Sequence, residues 1–299
     1  MHVLITGVGG FVGSRLARHL LARGDRVSGT YVDARPDLEG AELFEADLLD
    51  RAALERAVRT ASPDAIVNLA GLSHIGESWD WQRMSDYFWV NIAGTENVLV
   101  AADGRPVVIA SSADVYGQVA ESEQPILESR RVAPQTPYAL TKAAAERIAL
   151  AHQAVIVRSF NLIGPGQAPK FALASWATQL AAIRRGERPP VLEVGDLSTA
   201  RDFVHVDDGA EAYRLLAEKG DRGGIYNLAS GHAVPMRDAL NRLLAISGVH
   251  AEVQEGVYPP RPFDIPYLSG DAGRLRALGW EPRRTLDDAL ADIWRDFGF

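Results

Sequence analysis

The chain has 299 residues, a formal net charge of −8, 47% hydrophobic residues and no cysteine. The charge excludes the basic surface that nucleic-acid phosphates require, and the composition is that of an ordinary globular protein. The lack of cysteine excludes disulfides, thiolate metal sites and a cysteine nucleophile. No basic and apolar leader precedes the first predicted strand and no apolar run reaches membrane-spanning length, so we expect a cytoplasmic protein without nucleic-acid or membrane partners.

Short β-rich runs alternate with amphipathic stretches in the first half of the chain, which predicts an α/β fold with a Rossmann-type doubly wound parallel sheet. Strands are predicted at 3–5, 26–31, 41–44, 65–69, 107–110 and 155–158, and helices at 12–23, 51–59, 81–102 and 138–152. Proline and glycine become frequent after about residue 161. We therefore expect an NAD(P)-binding domain of residues 1–160 plus parts of 195–230, and a smaller mixed α/β substrate lobe made mostly of 161–299.

A glycine-rich turn lies between the first strand and the first helix. Gly7, Gly10 and Gly13 carry the spacing of a dinucleotide-binding turn, and Phe11 and Val12 begin the helix. The first glycines permit a tight turn and close approach to a pyrophosphate at the positive helix end, and the last permits close packing of helix and strand. The alternative is a turn that only links the two elements.

The end of the second strand bears on the choice of cofactor. Thr30 is near the strand end, Asp33 lies late for the acidic residue that favours NAD, and Arg35 suits the 2′-phosphate of NADP. We therefore favour NADP(H) over NAD(H). Asp47 and Leu48 follow the third strand and are candidates for an adenine contact, although Asp47 equally suits the cap of the next helix.

Tyr138 and Lys142 lie four residues apart on a helix introduced by Pro137, so both side chains share one face. A phenol with a pKa of about 10 needs a neighbouring ammonium to exchange protons near neutrality. Ser112 ends the fifth predicted strand at the carboxyl edge of the sheet, where ligands bind in this fold. The trio suits hydride exchange at a carbinol or carbonyl, and the alternative for Ser112 is a turn cap. The seven histidines show no metal-ligand spacing, so no metal is expected.

These motifs, with Asn68-Leu69-Ala70-Gly71, resemble the extended short-chain dehydrogenase/reductase family. Later motifs are similar to its nucleotide-sugar branch, the group of GDP-mannose 4,6-dehydratases and GDP-4-keto-6-deoxymannose reductases; they are Arg158–Gly166, Arg201-Asp202-Phe203, Arg261–Asp264 and Gly279-Trp280. The resemblance implies a nucleotide-diphosphate sugar, GDP-linked, as substrate, contacted by Ser73, Ser112, Asn161, Arg201, Arg261 and Asp264. It also implies that the cofactor site includes Leu69, Ala70, Gly71, Asn91 and Phe160, and that a homodimer forms through the helices at 84–101 and 138–152.

The dehydratases of this group carry a catalytic Glu two residues beyond the active hydroxyl, where this chain has Asp114. Aspartate is shorter, and the loop after Gly166 is brief, so the resemblance favours the reductases. We expect NAD(P)H-dependent reduction of a nucleotide-linked 4-keto-6-deoxyhexose, with Asp114 beside the catalytic trio. The alternatives are a 4,6-dehydratase, a 4-epimerase and a dinucleotide-binding protein without catalysis.

Overall fold

The computed structural model describes residues 1–258 and 262–299. Its strands are β1 (His2–Thr6), β2 (Arg26–Tyr31), β3 (Glu42–Glu45), β4 (Ala65–Asn68), β5 (Val107–Ser112), β6 (Val155–Ser159), β7 (Asn161–Ile163), β8 (Val191–Val194), β9 (Ala200–His205), β10 (Ile225–Leu228), β11 (Ala233–Pro235), β12 (Glu252–Glu255) and β13 (Tyr267–Leu268). The predicted strands of the first half are all present, with ends shifted by one or two residues at most.

The α-helices are α1 (Phe11–Ala22), α2 (Arg51–Ala61), α3 (Ile75–Ser78), α4 (Trp81–Phe88), α5 (Gly94–Ala101), α6 (Pro137–Ala151), α7 (Ala172–Arg184), α8 (Val206–Lys219), α9 (Met236–Ser247), α10 (Gly273–Ala277) and α11 (Leu286–Arg295). A π-helical segment, Trp89–Ala93, joins α4 to α5, and 3-10 turns occur at Ala113–Tyr116 and Glu121–Glu123. Among the described residues, no helix is long and apolar enough to cross a membrane.

The main sheet has seven parallel strands in the order β10-β6-β5-β4-β1-β2-β3. Every residue of the central strand β1 is buried, as expected when helices cover both faces. Chain order reverses between β1 and β4, and the carboxyl ends of these strands face the crevice in which ligands bind in such sheets. The predicted α/β doubly wound sheet is confirmed.

Three hydrophobic clusters hold the elements together. One packs α1 and α8 against one face of the main sheet, and a second packs α2, α5 and α6 against the other. The third joins α7, α9 and α11 around two small sheets. One of these runs β11-β9-β13 with β7 also paired to β9, and the other pairs β12 with β8.

The uninterrupted helix predicted over 81–102 is wrong, because the π-helical segment divides it. Asn91, in the middle of this segment, is buried and turns its amide towards the loop after β4 and towards α6. Thr95 donates its hydroxyl to the Asn91 carbonyl at 2.7 Å, which supplies a partner where the regular helical ladder is broken. The irregularity therefore follows from tertiary contacts of one polar side chain.

Candidate functional site

The glycine turn has the close backbone contacts that its spacing predicts. Gly7 has φ of 67°, and a Cβ atom there would lie 2.9 Å from the Cα of Ala70. A Cβ on Gly13 would collide with the Gly7 carbonyl oxygen, so α1 can approach β1 only with glycine at this position. Gly10 is the N-cap of α1 and has no side chain to cover the first amides of Phe11 and Val12. The turn thus presents a bare positive helix end that fits a pyrophosphate.

The segment after β2 lies beside this turn. Thr30 is buried, and its carbonyl accepts a hydrogen bond from Val8 N at 3.1 Å, so it supports the glycine turn from below. Pro36 packs on the turn, 3.3 Å from the position of a Cβ on Gly9. Arg35, next to Pro36, is exposed, and Asp33 adopts a positive φ of 63°. Arg35 therefore lies at the edge of the predicted pyrophosphate site.

The two predicted adenine contacts have different surroundings. Asp47 accepts a hydrogen bond from Leu49 N at 2.8 Å, and it does not cap α2. The cap is Asp50, which accepts from Ala53 N at 3.0 Å, so the capping alternative for Asp47 is wrong. Leu48 is buried, and a Cβ on Gly94 would lie 2.9 Å from its Cβ.

The loop after β4, Leu69-Ala70-Gly71, is fixed by Asn91. The Asn91 side chain accepts from Leu72 N at 2.9 Å and donates to Leu72 O and to Thr141 Oγ1, each at 3.0 Å. A Cβ on Gly71 would lie 2.9 Å from Asn91 Oδ1 and 3.5 Å from Lys142 Nζ. Asn91 therefore satisfies backbone groups of this loop and also ties the loop to α6.

The predicted trio comes together at the carboxyl end of β5 and the first turn of α6. Ser112 and Tyr138 are buried and lie within reach of each other, since the Ser112 hydroxyl lowers the pKa of the Tyr138 phenol, and Lys142 Nζ donates to the Ala110 carbonyl at 2.9 Å. Thr136 caps α6 and Pro137 begins it, which orients the first helical turn towards β5. Ser112 also caps the following 3-10 turn, which confirms the capping interpretation, and its role in catalysis stays a prediction.

Asp114 is part of the same group. Ser112 Oγ donates to Asp114 Oδ2 at 2.8 Å, and Asp114 N donates back to Ser112 Oγ at 3.2 Å. Burial raises the pKa of Tyr138, and the negative charge of Asp114 raises it further, while the hydrogen bond with Ser112 opposes the rise. Tyr138 is thus held as a neutral phenol, a proton donor.

Burial has the opposite effect on the pKa of the Lys142 ammonium. It lowers the pKa of Lys142 to about 8, and Glu146, one turn further along α6, opposes this change. Lys142 therefore changes charge close to neutral pH, which makes its protonation sensitive to small changes nearby.

Sequence reasoning missed Tyr87 and Glu146. Tyr87 is fully buried on α4, donates its hydroxyl to His74 O at 2.7 Å and packs edge-on against Tyr138, with ring centroids 6.5 Å apart. Glu146 forms a buried ion pair with Arg158. A charged residue four positions after Lys142 in an alanine-rich helix, and an arginine inside an apolar strand, were the available signals.

The predicted substrate residues lie on the C-terminal elements. Arg201, on β9, donates to Ile265 O at 2.6 Å and to Asp264 Oδ1 at 2.5 Å, so two of these residues pair with each other. Asn161, at the start of β7, and Ser73, in the loop after β4, are exposed. Phe160 is buried in the cluster beneath Gly270. Arg261 lies outside the described residues.

The neighbour of Arg201 holds this region together. Asp202 is fully buried and accepts hydrogen bonds from the amides of Ser230, Gly231 and Gly270 at 2.7, 3.0 and 3.2 Å. It thereby joins β9 to the loops after β10 and β13. The sequence motif Arg201-Asp202-Phe203 thus has a structural part as well as a candidate binding part.

Two of the histidines serve as helix caps. His74 Nδ1 accepts from Glu77 N, and His205 Nδ1 accepts from Asp207 N at 3.0 Å. No group of three or more His, Asp or Glu side chains suited to a metal ion occurs within residues 1–258 and 262–299.

Comparison with known proteins assigns the family. Residues 3–229 match the model of the NAD dependent epimerase/dehydratase family. The chain is 34% identical over 306 residues to a GDP-6-deoxy-D-mannose reductase of Pseudomonas aeruginosa, a match that covers 99% of this chain and 96% of that protein. The chain belongs to the NAD dependent epimerase/dehydratase family. This family member is an NAD(P)-dependent oxidoreductase, of the group that includes nucleotide-sugar reductases, epimerases and dehydratases.

Solved structures agree with this assignment. The structure of RMD from Pseudomonas aeruginosa, complexed with NADPH, superposes with a TM-score of 0.86 at 32% identity and covers 99% of this chain and 98% of that one. The UDP-glucose 4-epimerase of Thermus thermophilus, in complex with NAD, has a TM-score of 0.89 at 29% identity, with 100% and 99% covered. The family resemblance predicted from the sequence motifs is confirmed.

Proposed function

We propose that this family member reduces the 4-keto group of a nucleotide-linked 4-keto-6-deoxyhexose, with a GDP-linked sugar as the substrate and NADPH as the reductant. The observation that supports this proposal most directly is the hydrogen bond from Ser112 Oγ to Asp114 Oδ2 at 2.8 Å. It holds the short Asp114 carboxylate against Ser112, whereas elimination of water needs an acid that reaches a second sugar carbon. Reduction needs only one proton donor at the ketone oxygen.

Each of the site residues has a separate task in this reaction. A reduced nicotinamide supplies the hydride when it is bound. Tyr138 gives its proton to the ketone oxygen, Ser112 orients that oxygen by hydrogen bonding, and Lys142, when charged, favours the phenolate that remains. The buried surroundings of Tyr138 and Ser112 keep water from competing for these hydrogen bonds.

The glycine turn and its neighbours fit the dinucleotide. The pyrophosphate would meet the amides at the start of α1, where side chains at Gly7 or Gly13 have no room. Arg35 beside this turn supports NADPH over NADH, because a guanidinium forms charge-assisted hydrogen bonds with a 2′-phosphate. We assign residues 1–160 with parts of 195–230 to this cofactor domain, and propose that most of 161–299 binds the sugar nucleotide.

On the substrate side, Arg201 is the candidate for the diphosphate. Its guanidinium already donates hydrogen bonds to Asp264 and to the carbonyl of Ile265. These bonds fix the orientation of the guanidinium plane at the start of β9. The relative from Pseudomonas aeruginosa is named for a GDP-linked 6-deoxymannose, which supports the GDP-linked substrate class. Asn161, Ser73 and, from the sequence, Arg261 complete the proposed contacts.

We also propose a homodimer in the cytoplasm. Large apolar side chains are exposed on α4, the π segment and α6: Trp81 at 78%, Trp89 at 63%, Leu140 at 49% and Phe88 at 43%. We propose that these side chains form one apolar patch, which the same patch of a second copy covers. The absence of cysteine supports a reducing compartment.

The proposal is tested by supplying GDP-, UDP-, dTDP- and CDP-linked 4-keto-6-deoxyhexoses with NADPH or NADH and measuring oxidation of the nicotinamide. We expect the fastest turnover with the GDP-linked ketone and NADPH. Conversion of GDP-mannose, or interconversion of 4-epimers without added reductant, would instead assign a dehydratase or an epimerase. Tight cofactor binding with no turnover on any of these sugars would identify a binding protein without catalysis.

A further inference from the structure

Three consecutive residues at the end of β5 interact with three residues of α6 that are spaced four apart. The pairs are Ala110 with Lys142, Ser111 with Glu146, and Ser112 with Tyr138. Because residues four apart share one helix face, this face of α6 meets the end of β5 at three positions. Two of the three pairs contain the predicted catalytic residues. In the third, Ser111 Oγ donates to Glu146 Oε1 at 2.6 Å, and neither residue takes part in the proposed reaction.

Glu146 is itself rigidly held. Arg158 donates to its carboxylate from Nε at 2.9 Å and from Nη2 at 2.8 Å, and the two side chains are only 5% and 4% exposed. Arg158 is also the register partner of Ser111 across β5 and β6, and its guanidinium lies 4.8 Å above the ring of Tyr116. Glu146 is thus fixed to two strands of the main sheet at once.

Simple packing does not account for this arrangement. A buried ion pair loses the hydration of two charges, and apolar side chains would join α6 to the sheet without that cost. Of the other buried α6 residues, Thr141 accepts a hydrogen bond from Asn91 of the π segment, while Ala139, Ala145 and Ala149 pack closely but have no polar side-chain group that could bond the sheet. The polar contacts of Glu146 with Ser111 and Arg158 therefore set the register of α6 against the sheet.

Glu146 also acts on the charge of Lys142. Burial lowers the pKa of Lys142 to about 8, and the carboxylate one helical turn away opposes that effect. Other titratable or charged side chains around this part of α6 include Tyr138 on the same helix, Asp114 and Tyr116 after β5, Glu128, Arg158 on β6 and Tyr87 on α4. Among them, Glu146 is the carboxylate on the same helical face as the ammonium.

We propose that Glu146, held by Ser111 and Arg158, is a positioning residue of the active site. It fixes the register of α6 against β5, which aligns Tyr138 with Ser112, and it keeps Lys142 protonated in the working pH range. This inference rests on the proposed function only in that Tyr138 and Lys142 serve the reaction. The titration of Lys142 and the alignment of Tyr138 are properties of the protein without substrate.

The three lysines of the chain, Lys142, Lys170 and Lys219, make a direct test possible. Carbon-13 labelled lysine gives three side-chain NMR signals, and Lys142→Arg assigns one of them. In Glu146→Gln we expect the pKa of Lys142 to fall, because its nearby counter-charge is lost. The Lys170 signal, from an exposed lysine paired with Glu77, should not move. An unchanged Lys142 titration in a folded Glu146→Gln protein would overturn the proposed charge effect.

A second variant tests the register and leaves the ion pair in place. Ser111→Ala removes one hydroxyl, and we expect turnover to fall about tenfold or more with KM and NADPH binding within about twofold, since misalignment of the proton donor affects the chemical step. Ser78→Ala is the matched control, because the buried Ser78 donates its hydroxyl to Ile75 O at 2.7 Å, on another helix. Equal turnover of the two variants would contradict the proposal. If the wild type reduces no 4-keto sugar, the substrate assignment fails, and the lysine titration still decides the role of Glu146.

Discussion

The Ser112 hydroxyl donates to the Asp114 carboxylate at 2.8 Å and also lies within reach of the Tyr138 phenol, whose pKa it lowers. A hydroxyl has a single proton, so Ser112 donates to Asp114 or to Tyr138 but not to both at once. A ketone oxygen beside Ser112 and Tyr138 would accept the serine hydrogen bond once that proton turns away from Asp114, and it would take the proton of Tyr138. Asp114 therefore fixes Ser112 next to the phenol that delivers the proton.

The first prediction concerns Tyr138. Tyr138→Phe removes the proton donor and preserves the ring, so we expect turnover to fall on the order of 10²–10⁴-fold with little change in NADPH affinity. Steady-state assays and fluorescence titration with NADPH provide the two measurements. Tyr87→Phe is the matched control, because this ring is equally buried and touches Tyr138 without belonging to the proton path. Turnover of Tyr138→Phe at the control level would remove Tyr138 from the mechanism.

The alkaline limb of the pH–rate profile should come from Lys142. Its charged form is the active one, its pKa is lowered to about 8, and activity should therefore be full below this pH and decline as pH rises through it. Lys142→Arg retains the charge but does not titrate in this range, so its lower activity should persist to higher pH. An alkaline limb at the same pH in wild type and Lys142→Arg would show that another group causes it.

Gly13 is predicted to be essential for the fold of the turn. Gly13→Ala places a Cβ atom against the Gly7 carbonyl, and we expect a loss of about 1–3 kcal/mol in the free energy of unfolding, together with weaker NADPH binding. Urea unfolding with and without NADPH measures both effects. The neighbouring Ser14→Ala should change neither by a comparable amount, and equal behaviour of the two variants would contradict the packing account.

The preference for NADPH is predicted to depend on Arg35. Arg35→Ala should weaken NADPH binding about tenfold, the value of one or two hydrogen bonds to a charged group, and leave NADH binding unchanged. Fluorescence titration with each nucleotide measures the ratio. Parallel losses for NADPH and NADH would place Arg35 away from the 2′-phosphate.

The dimer is predicted to require the exposed tryptophans. Replacing Trp81 and Trp89 with Gln removes the largest apolar surface of the patch, and light scattering should then report a monomer. Leu127→Gln changes another exposed apolar side chain outside the patch and should leave the dimer intact. A monomeric wild type would refute this part of the proposal.

Local patterns in the sequence were sufficient for the sheet and for the centre of the site. The strand at Arg26–Tyr31 has the predicted bounds, because alternation and turn residues act within a few positions. Gly7 and Gly13 have the contacts that their spacing requires, and Ser112, Tyr138 and Lys142 meet because strand ends and helix faces are regular.

Features that depend on contacts distant in sequence were not predictable in the same way. The π segment follows from Asn91 meeting Leu72 and Thr141, 19 and 50 positions away. The cap of α2 is Asp50 in place of Asp47, since both residues suit a cap and only the path of the chain decides. The pairing of Arg201 with Asp264 joins positions 63 apart, and the motifs alone did not indicate it.

The central claim is that an external reduced nicotinamide gives its hydride to C4 of a nucleotide-linked 4-ketone. The most direct measurement supplies GDP-4-keto-6-deoxymannose with NADPH deuterated at the transferring position and analyses the product by NMR. We predict one deuterium at C4, none at C5 or C6, and one NADP⁺ formed per sugar reduced. A product without deuterium at C4, or turnover of GDP-mannose in the absence of added NADPH, would contradict the claim.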